Sequence, residues 1–332
     1  MAHELEIVNG EAKMAYAGSL PWHGLGTQVD PEISVDEMMV AAGLDWEVKK
    51  TPIYTQLYDP KTQKTDRIKV PSKWALTRTS DNKVMTISGD NWRPTQNKEA
   101  FEFFREFCEV GGAKMETAGA LKGGQHVWAL AKLGNGFTLP NGDRTEGYLL
   151  FSLPHVVGSS IQVRTTSVRV VCNNTLTYSL NGGTQSEYRQ NHMCDFDFSR
   201  AREVVDMANQ NLAAQGDFAK QLQQIKMDKF DAMVFFNSLI SQEALDRAGA
   251  TEMLEAIDTP LGKRSRMGQF MNSYMNGAGA EQESAWGVLN GITHWTDHGA
   301  GDKQDKRLVD SWWGHNYRLK AVAQQKLAEL AV

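Results

Sequence analysis

Residues 147–180 read GYLLFSLPHVVGSSIQVRTTSVRVVCNNTLTYSL, and the way this stretch divides decides the fold. The apolar run over 148–153, the Pro and Gly punctuation over 154–159 and the renewed alternation over 160–164 predict strand, turn and strand. A third extended run is expected over 168–172, leading through Asn173-Asn174-Thr175 into a short helix. Side chains alternate along a strand, so Ile161 and Val163 share one side while Gln162 and Arg164 share the other. The resulting sheet has one face for a core and one that carries Arg and Gln outward.

Working back from this stretch, Asn135-Gly136 and Asn141-Gly142 are turn signals just before it. A hairpin is expected over 114–120 and 126–133, joined at Gly123-Gly124. Before that lies an amphipathic helix over 98–110 containing Phe101, Phe103, Phe104 and Phe107, stopped by Gly111-Gly112. Strands over 46–51, 54–58, 69–79 and 83–88 form an antiparallel meander with turns at Asp59-Pro60 and Asp81-Asn82. A short helix over 35–42 starts at Ser34, which has Glu37 three residues on, and stops at Gly43. The segment SLPWHGLGT (19–27) is a turn-rich loop in which Trp22 and His23 either plug the structure or flank a ligand.

Beyond residue 195 the pattern becomes helical, over 199–222, 228–240, 250–257, 281–295, 305–312 and 317–330, with a basic loop over 262–266. The expected class is α+β, an antiparallel sheet region in the first half followed by a largely helical second half. Three parts follow: an N-terminal segment (1–45), a sheet core with one Phe-rich helix (46–195) and a helical region (196–332).

The 332 residues carry 35 Lys and Arg against 40 Asp and Glu, a net charge of −5 that opposes a global positive field for nucleic acid. A local basic groove on an acidic body remains open. No run of eighteen apolar residues marks a membrane span, and MAHELEIVNG lacks the basic start of an export signal, so a cytoplasmic, membrane-free protein is expected. Cys108, Cys172 and Cys194 are an odd set with no paired spacing and read as reduced thiols.

Arg164 and Arg169 flank Thr165-Thr166-Ser167, and a strand break there would let two guanidiniums and three hydroxyls line one phosphate-binding groove. Asn173 and Asn174 follow at the expected helix start, whose free N–H groups favour an anion. The bland alternative is turn and cap satisfaction, with the arginines paired to nearby acids. Lys263, Arg264 and Arg266 are a solvated basic loop or a further nucleic-acid contact. Aromatic residues near cations (Trp74/Arg78, Trp92/Arg93, Trp312-Trp313 with His315 and Arg318) suit base stacking or belong to the core.

Cys172 with His155 or His192, or the group His294, Asp297 and His298, would be the material for an enzyme acting on a nucleotide or a protein. The spacing HWTDH lacks the Glu that follows the first His of a zincin, and the cysteines fit no standard zinc spacing. No Walker loop, dinucleotide fingerprint or nucleophile elbow is present, so no cofactor, metal or catalytic residue is assigned.

Three motifs together, PWHGLGT near the start, RVVCNNTL after the central hairpin, and WGVLNGITHWTDH followed by WWGHNYRLKAVA, resemble the phage/plasmid-like protein family, domain of unknown function 932. That family usually carries a His-Asp-Gly-Ser turn between the central strands, where this chain has His155-Val156-Val157-Gly158-Ser159. The resemblance implies a setting in phages, plasmids and integrative elements and supplies no activity. Hairpins followed by helices are also distantly similar to single-strand annealing proteins, which form rings around a basic groove; this is fold-level analogy. The expected function is non-enzymatic binding of single-stranded DNA or RNA in the annealing or recombination steps of mobile-element DNA metabolism, by a homo-oligomer. Arg164, Thr166, Arg169, Asn173, Asn174, Lys263, Arg264 and Arg266 are the expected contacts.

Overall fold

The computed structural model describes residues 5–8, 10–18, 25–169, 174–176, 187–241, 243–277, 280, 283–301 and 304–330. The central hairpin is where the sequence places it. Strand β10 (Arg144–Pro154) pairs antiparallel with β11 (Ile161–Arg169), Phe151 opposite Val163 and Leu150 opposite Arg164. Around them β8 (Lys114–Leu121), β9 (His126–Thr138), β3 (Met14–Tyr16), β4 (Thr27–Gln28), β12 (Asn174–Leu176) and β13 (Glu187–Gln190) complete an eight-stranded sheet. Its order is β12-β11-β10-β9-β8-β3-β4, with β13 pairing β11 beside β12. Every pairing in it is antiparallel except β3 with β4.

Helices α1 (Val35–Ala41) and α2 (Asn97–Gly111) and the first half of α3 (Ala201–Gln224) cover one face of this sheet. Ser34 caps α1 reciprocally: its Oγ accepts the Glu37 N–H at 3.2 Å and Glu37 Oε2 accepts the Ser34 N–H at 3.1 Å. All four phenylalanines of α2 are buried. Phe101 and Phe104 pack on Phe151 at 5.7 and 5.1 Å between ring centroids, and Phe103 reaches Tyr188 at 4.9 Å. Gly112 ends the helix at φ 57°, a conformation that favours glycine.

The second half is helical, as expected: α4 (Lys229–Ile240), α5 (Arg247–Ile257), α6 (Arg266–Asn276), α7 (Ala285–His294), α8 (Gln304–Trp313) and α9 (His315–Leu330). The sequence reading passed over α6. Its Met267, Phe270, Met271 and Tyr274 nevertheless repeat at helical spacing and pack into a second core with Phe236, Trp286, Ile292 and Leu327. Helix α3 joins the two cores, with Val204, Ala208 and Leu212 in the first and Phe218 and Leu222 in the second. No helix among the described residues is long and apolar enough to cross a membrane.

Two local expectations need correction. Strand β11 is unbroken through Thr165-Thr166-Ser167, each paired with β10, so the hydroxyls alternate between faces and do not line one groove. Residues Asn174–Leu176 start no helix; they pair with β11, Asn174 opposite Arg169 and Leu176 opposite Ser167. Asn side chains favour both caps and turns, and at Asn174 pairing with the edge of β11 selects the extended form. Trp22, His23, Cys172 and Asn173 lie outside the described residues.

The meander also differs. One long strand, β5 (Val48–Asp59), runs through Pro52 by means of a register shift between Pro52 and Tyr54, where the reading had split it in two. It pairs with β6 (Lys64–Arg78), and β7 (Val84–Ser88) completes a separate three-stranded sheet. The end of this hairpin turns on Asp59, whose carboxylate accepts from Lys61 N and Thr62 Oγ1, both at 2.8 Å.

Candidate nucleic-acid interface

The sheet face that the alternation assigns to Gln162 and Arg164 is not open to solvent. Helices α8 and α9 lie across it, Trp312 packing with Leu121, Trp128, Leu130, Tyr148 and Leu150. Arg164 is 8% exposed and Thr166 is buried nearby. The Arg164 guanidinium donates to the Trp312 carbonyl and stands 4.7 Å from the Tyr317 ring and 5.8 Å from the Trp313 ring. Burial lowers the Arg164 pKa from the ordinary arginine value. Shielded in this way, Arg164 and Thr166 do not present phosphate contacts at the surface. Arg169 sits opposite Thr145 and Asn174, five residues along the strand from Arg164, roughly 17 Å at 3.4 Å per residue.

On α9 itself, Lys320 is fully buried. Its ammonium donates to Asp297 Oδ1 at 3.0 Å and Ser311 Oγ at 2.7 Å, and Ser311 Oγ donates to the same carboxylate. Asp297 belongs to a single π-helical turn, Trp295–Gly299, that follows α7. The turn aims Asp297 at Lys320 and Ser311, while its charge still acts on His294. His294 Nδ1 meets Ser273 Oγ at 3.2 Å and the His294 and His298 rings are 5.0 Å apart. Among the described residues no group of three His, Cys, Asp or Glu could hold a metal. His155 is buried, 2.8 Å from Asn97 Oδ1 through Nε2, and burial pulls its pKa down to about 3. His192 stacks on Trp92 at 4.4 Å between centroids, and burial pulls it down to about 4. Both serve the packing of the sheet core. Cys108 is buried with its thiol pushed up to about 12, and Cys194 is exposed.

The basic loop has the placement expected of it. Lys263 and Arg264 form a 3-10 turn, Gly262–Arg264, and Arg266 opens α6 behind the cap Ser265. Lys263 pairs with Asp258 at 3.1 Å; Arg264 and Arg266 are exposed, and Arg266 lies 5.5 Å from the Trp295 ring.

A second exposed basic surface lies on the β5–β6 hairpin, where no site was expected. Beyond Pro52 and Trp74, β5 and β6 continue as a two-stranded ribbon, Tyr54 opposite Lys69 through Asp59 opposite Lys64. The pairing puts Tyr54, Gln56, Tyr58, Arg67 and Lys69 on one face. Tyr54 and Tyr58 are exposed, the latter at 62%, and the Arg67 guanidinium stacks 3.8 Å over the Tyr54 ring. Lys69 reaches the Trp74 ring at 4.7 Å. Over residues 49–73 seven Lys and Arg stand against two Asp, a local +5 in a chain of net −5. The root of the ribbon is anchored separately. Lys50 donates to the carbonyls of Gly89, Asp90 and Trp92 at 3.1, 2.7 and 3.0 Å, and buried Arg78 is paired with Glu6 and Asp81, each at 2.6 Å. The lost signal was the alternation Y-x-Q-x-Y facing R-x-K, hidden by starting the second strand only at Lys69.

A family model described as Domain of unknown function (DUF932) matches residues 84–320, which includes the central hairpin, the π-turn and α8 and begins just after the ribbon. No curated protein and no solved structure matches the chain.

Proposed function

This chain belongs to the domain of unknown function 932 family, and we propose that it binds single-stranded nucleic acid along the basic, aromatic face of the β5–β6 ribbon. The observation that carries the reading is the placement of Tyr54, Tyr58, Arg67 and Lys69 on one exposed face. Cations track a phosphate backbone regardless of sequence, and a tyrosine ring offers each unpaired base a stacking surface worth about 1–3 kcal/mol. A duplex keeps its bases stacked on each other, so two exposed tyrosines favour a single strand. The acidic body does not cancel this field. Six residues of ribbon extend about 20 Å, and charges are screened beyond about 8 Å at physiological salt. DNA annealing or recombination in a mobile element, in the cytoplasm, is the setting we propose for such binding.

The test is fluorescence anisotropy with a labelled oligonucleotide, single- and double-stranded, at low and moderate salt. Wild-type protein is expected to bind the single strand more tightly. Four ribbon cations, Lys61, Lys64, Arg67 and Lys69, set an upper slope of log affinity against log salt of about −3, at about 0.7 per phosphate. Tyr54→Ala with Tyr58→Ala should weaken binding about tenfold or more with little change in that slope. No binding by the wild type at low salt ends the reading; equal binding by the ribbon variants moves the site elsewhere.

A further inference from the structure

The ribbon leaves one other basic feature unexplained. A cavity of about 570 Å³ opens between the 3-10 turn Gly262–Arg264, the start of α6, the end of the π-turn and the junction of α8 with α9. Arg264, Arg266 and Arg307 all line it, together with His315. Asp310 is the one acidic side chain among its described lining residues.

Several arginines elsewhere in the molecule are met by carboxylates: Arg78 by Glu6 and Asp81, Arg105 by Asp36, Arg247 by Asp228 and Asp231. Among the described residues, none of the three cavity arginines makes such a pair. Arg266 faces only the Trp295 ring at 5.5 Å. Arg307 is fixed by backbone carbonyls, donating through Nε to Ala300 at 2.9 Å, through Nη2 to Gly301 at 2.8 Å and through Nη1 to His298. Those bonds use three of its five N–H groups and hold the planar fork in place, with the charge of Asp297 also acting on it. Three guanidiniums from separate elements thus line one cavity, where an anion would meet all of them. The first turn of α9 adds His315 and Asn316 to the lining.

We infer that this cavity is a binding site for a phosphate-bearing ligand of nucleotide size, held by Arg264, Arg266 and Arg307. The volume falls within the range of small-molecule pockets. Bidentate arginine–phosphate bonds supply the specificity for phosphate over a simple halide. The phosphate comes either from a free nucleotide or from a nucleic-acid strand that reaches the cavity, and the site stands whether or not the ribbon binds a strand.

Isothermal titration of the full chain with inorganic pyrophosphate, and separately with a mononucleotide, at low salt tests it. Wild-type protein should bind pyrophosphate. Arg264→Ala with Arg266→Ala, both exposed positions, should weaken binding by about tenfold or more while leaving thermal unfolding unchanged. Asp310→Asn should tighten it severalfold, since it removes a negative charge from the lining, an effect a purely structural role would not produce. No heat at millimolar pyrophosphate, or equal affinity in the double variant, overturns the inference. Arg67→Ala with Lys69→Ala must keep full pyrophosphate binding, which separates failure here from failure of the ribbon. Pyrophosphate displacing a prebound oligonucleotide identifies the strand as the source of phosphate; undiminished binding of both identifies a free nucleotide.

Discussion

Arginine set against aromatic rings occurs in two places in this molecule with opposite meanings. On the ribbon, Arg67 lies 3.8 Å over Tyr54 with both in water, and the charge stays available to a ligand. Under α8 and α9, Arg164 lies against Tyr317 and Trp313 with its guanidinium spent on the Trp312 carbonyl. Residue type and pairing are alike; the difference is desolvation. A buried cation must be fully satisfied by its surroundings or it destabilises the fold, whereas an exposed one costs the fold little and keeps its field. Arg164 is therefore a structural cation that holds the C-terminal helices on the sheet, Lys320 one that ties α9 to α8 and the π-turn, and the ribbon cations are free to meet a partner.

Substitutions at the two places should fall into separate classes. The largest effect is expected at Lys320→Ala, which leaves Asp297 buried without its ammonium; urea unfolding should show a loss of about 3–5 kcal/mol. A loss below 1 kcal/mol would mean that α9 does not depend on this pair. Next is Arg164→Ala, expected to cost about 2–4 kcal/mol through lost packing and an orphaned carbonyl, while leaving the salt slope of oligonucleotide binding unchanged in the folded protein. A flattened slope without destabilisation would return Arg164 to the binding surface and erase the comparison.

Acid should act on the structural side alone. Burial pulls His126 down to about 4 and His155 to about 3, against about 6.5 in an unfolded chain. The unfolded state therefore binds more protons in this window. The contribution of these histidines to stability is complete above about pH 6.5 and is lost as pH falls toward their folded values, by up to about 1.4 kcal/mol per pH unit for each. Denaturation midpoints at pH 5 and pH 7 measure it, and His155→Gln should reduce the slope. The smallest effect on stability is expected for Arg67→Ala with Lys69→Ala, within about 0.5 kcal/mol as for other surface changes, together with weaker oligonucleotide binding and a flatter salt slope. A large fall in Tm for this variant would show that the ribbon is packed, not free.

Much of the fold could be read along the chain because its determinants are local. Ser34 and Glu37 cap a helix three residues apart, four phenylalanines within seven residues mark the buried helix α2, and the strand alternation around Pro154 and Gly158 defines the central hairpin. The same local periodicity assigned Arg164 and Gln162 correctly to one side of the sheet. What covers that side is decided by residues 148 positions away, where Trp312 meets Arg164, and no pattern within a window of either segment contains that contact. The continuity of β5 through Pro52, the strand at Asn174 and the gathering of Arg264, Arg266 and Arg307 into one cavity are of the same kind. The sequence by itself determined most of the helices and strands and which of their faces are apolar, since propensity, capping and alternation act over a few residues. Only the tertiary structure decided which charges are buried and which meet water, because burial depends on the partner that packs above a side chain and not on its neighbours in the chain.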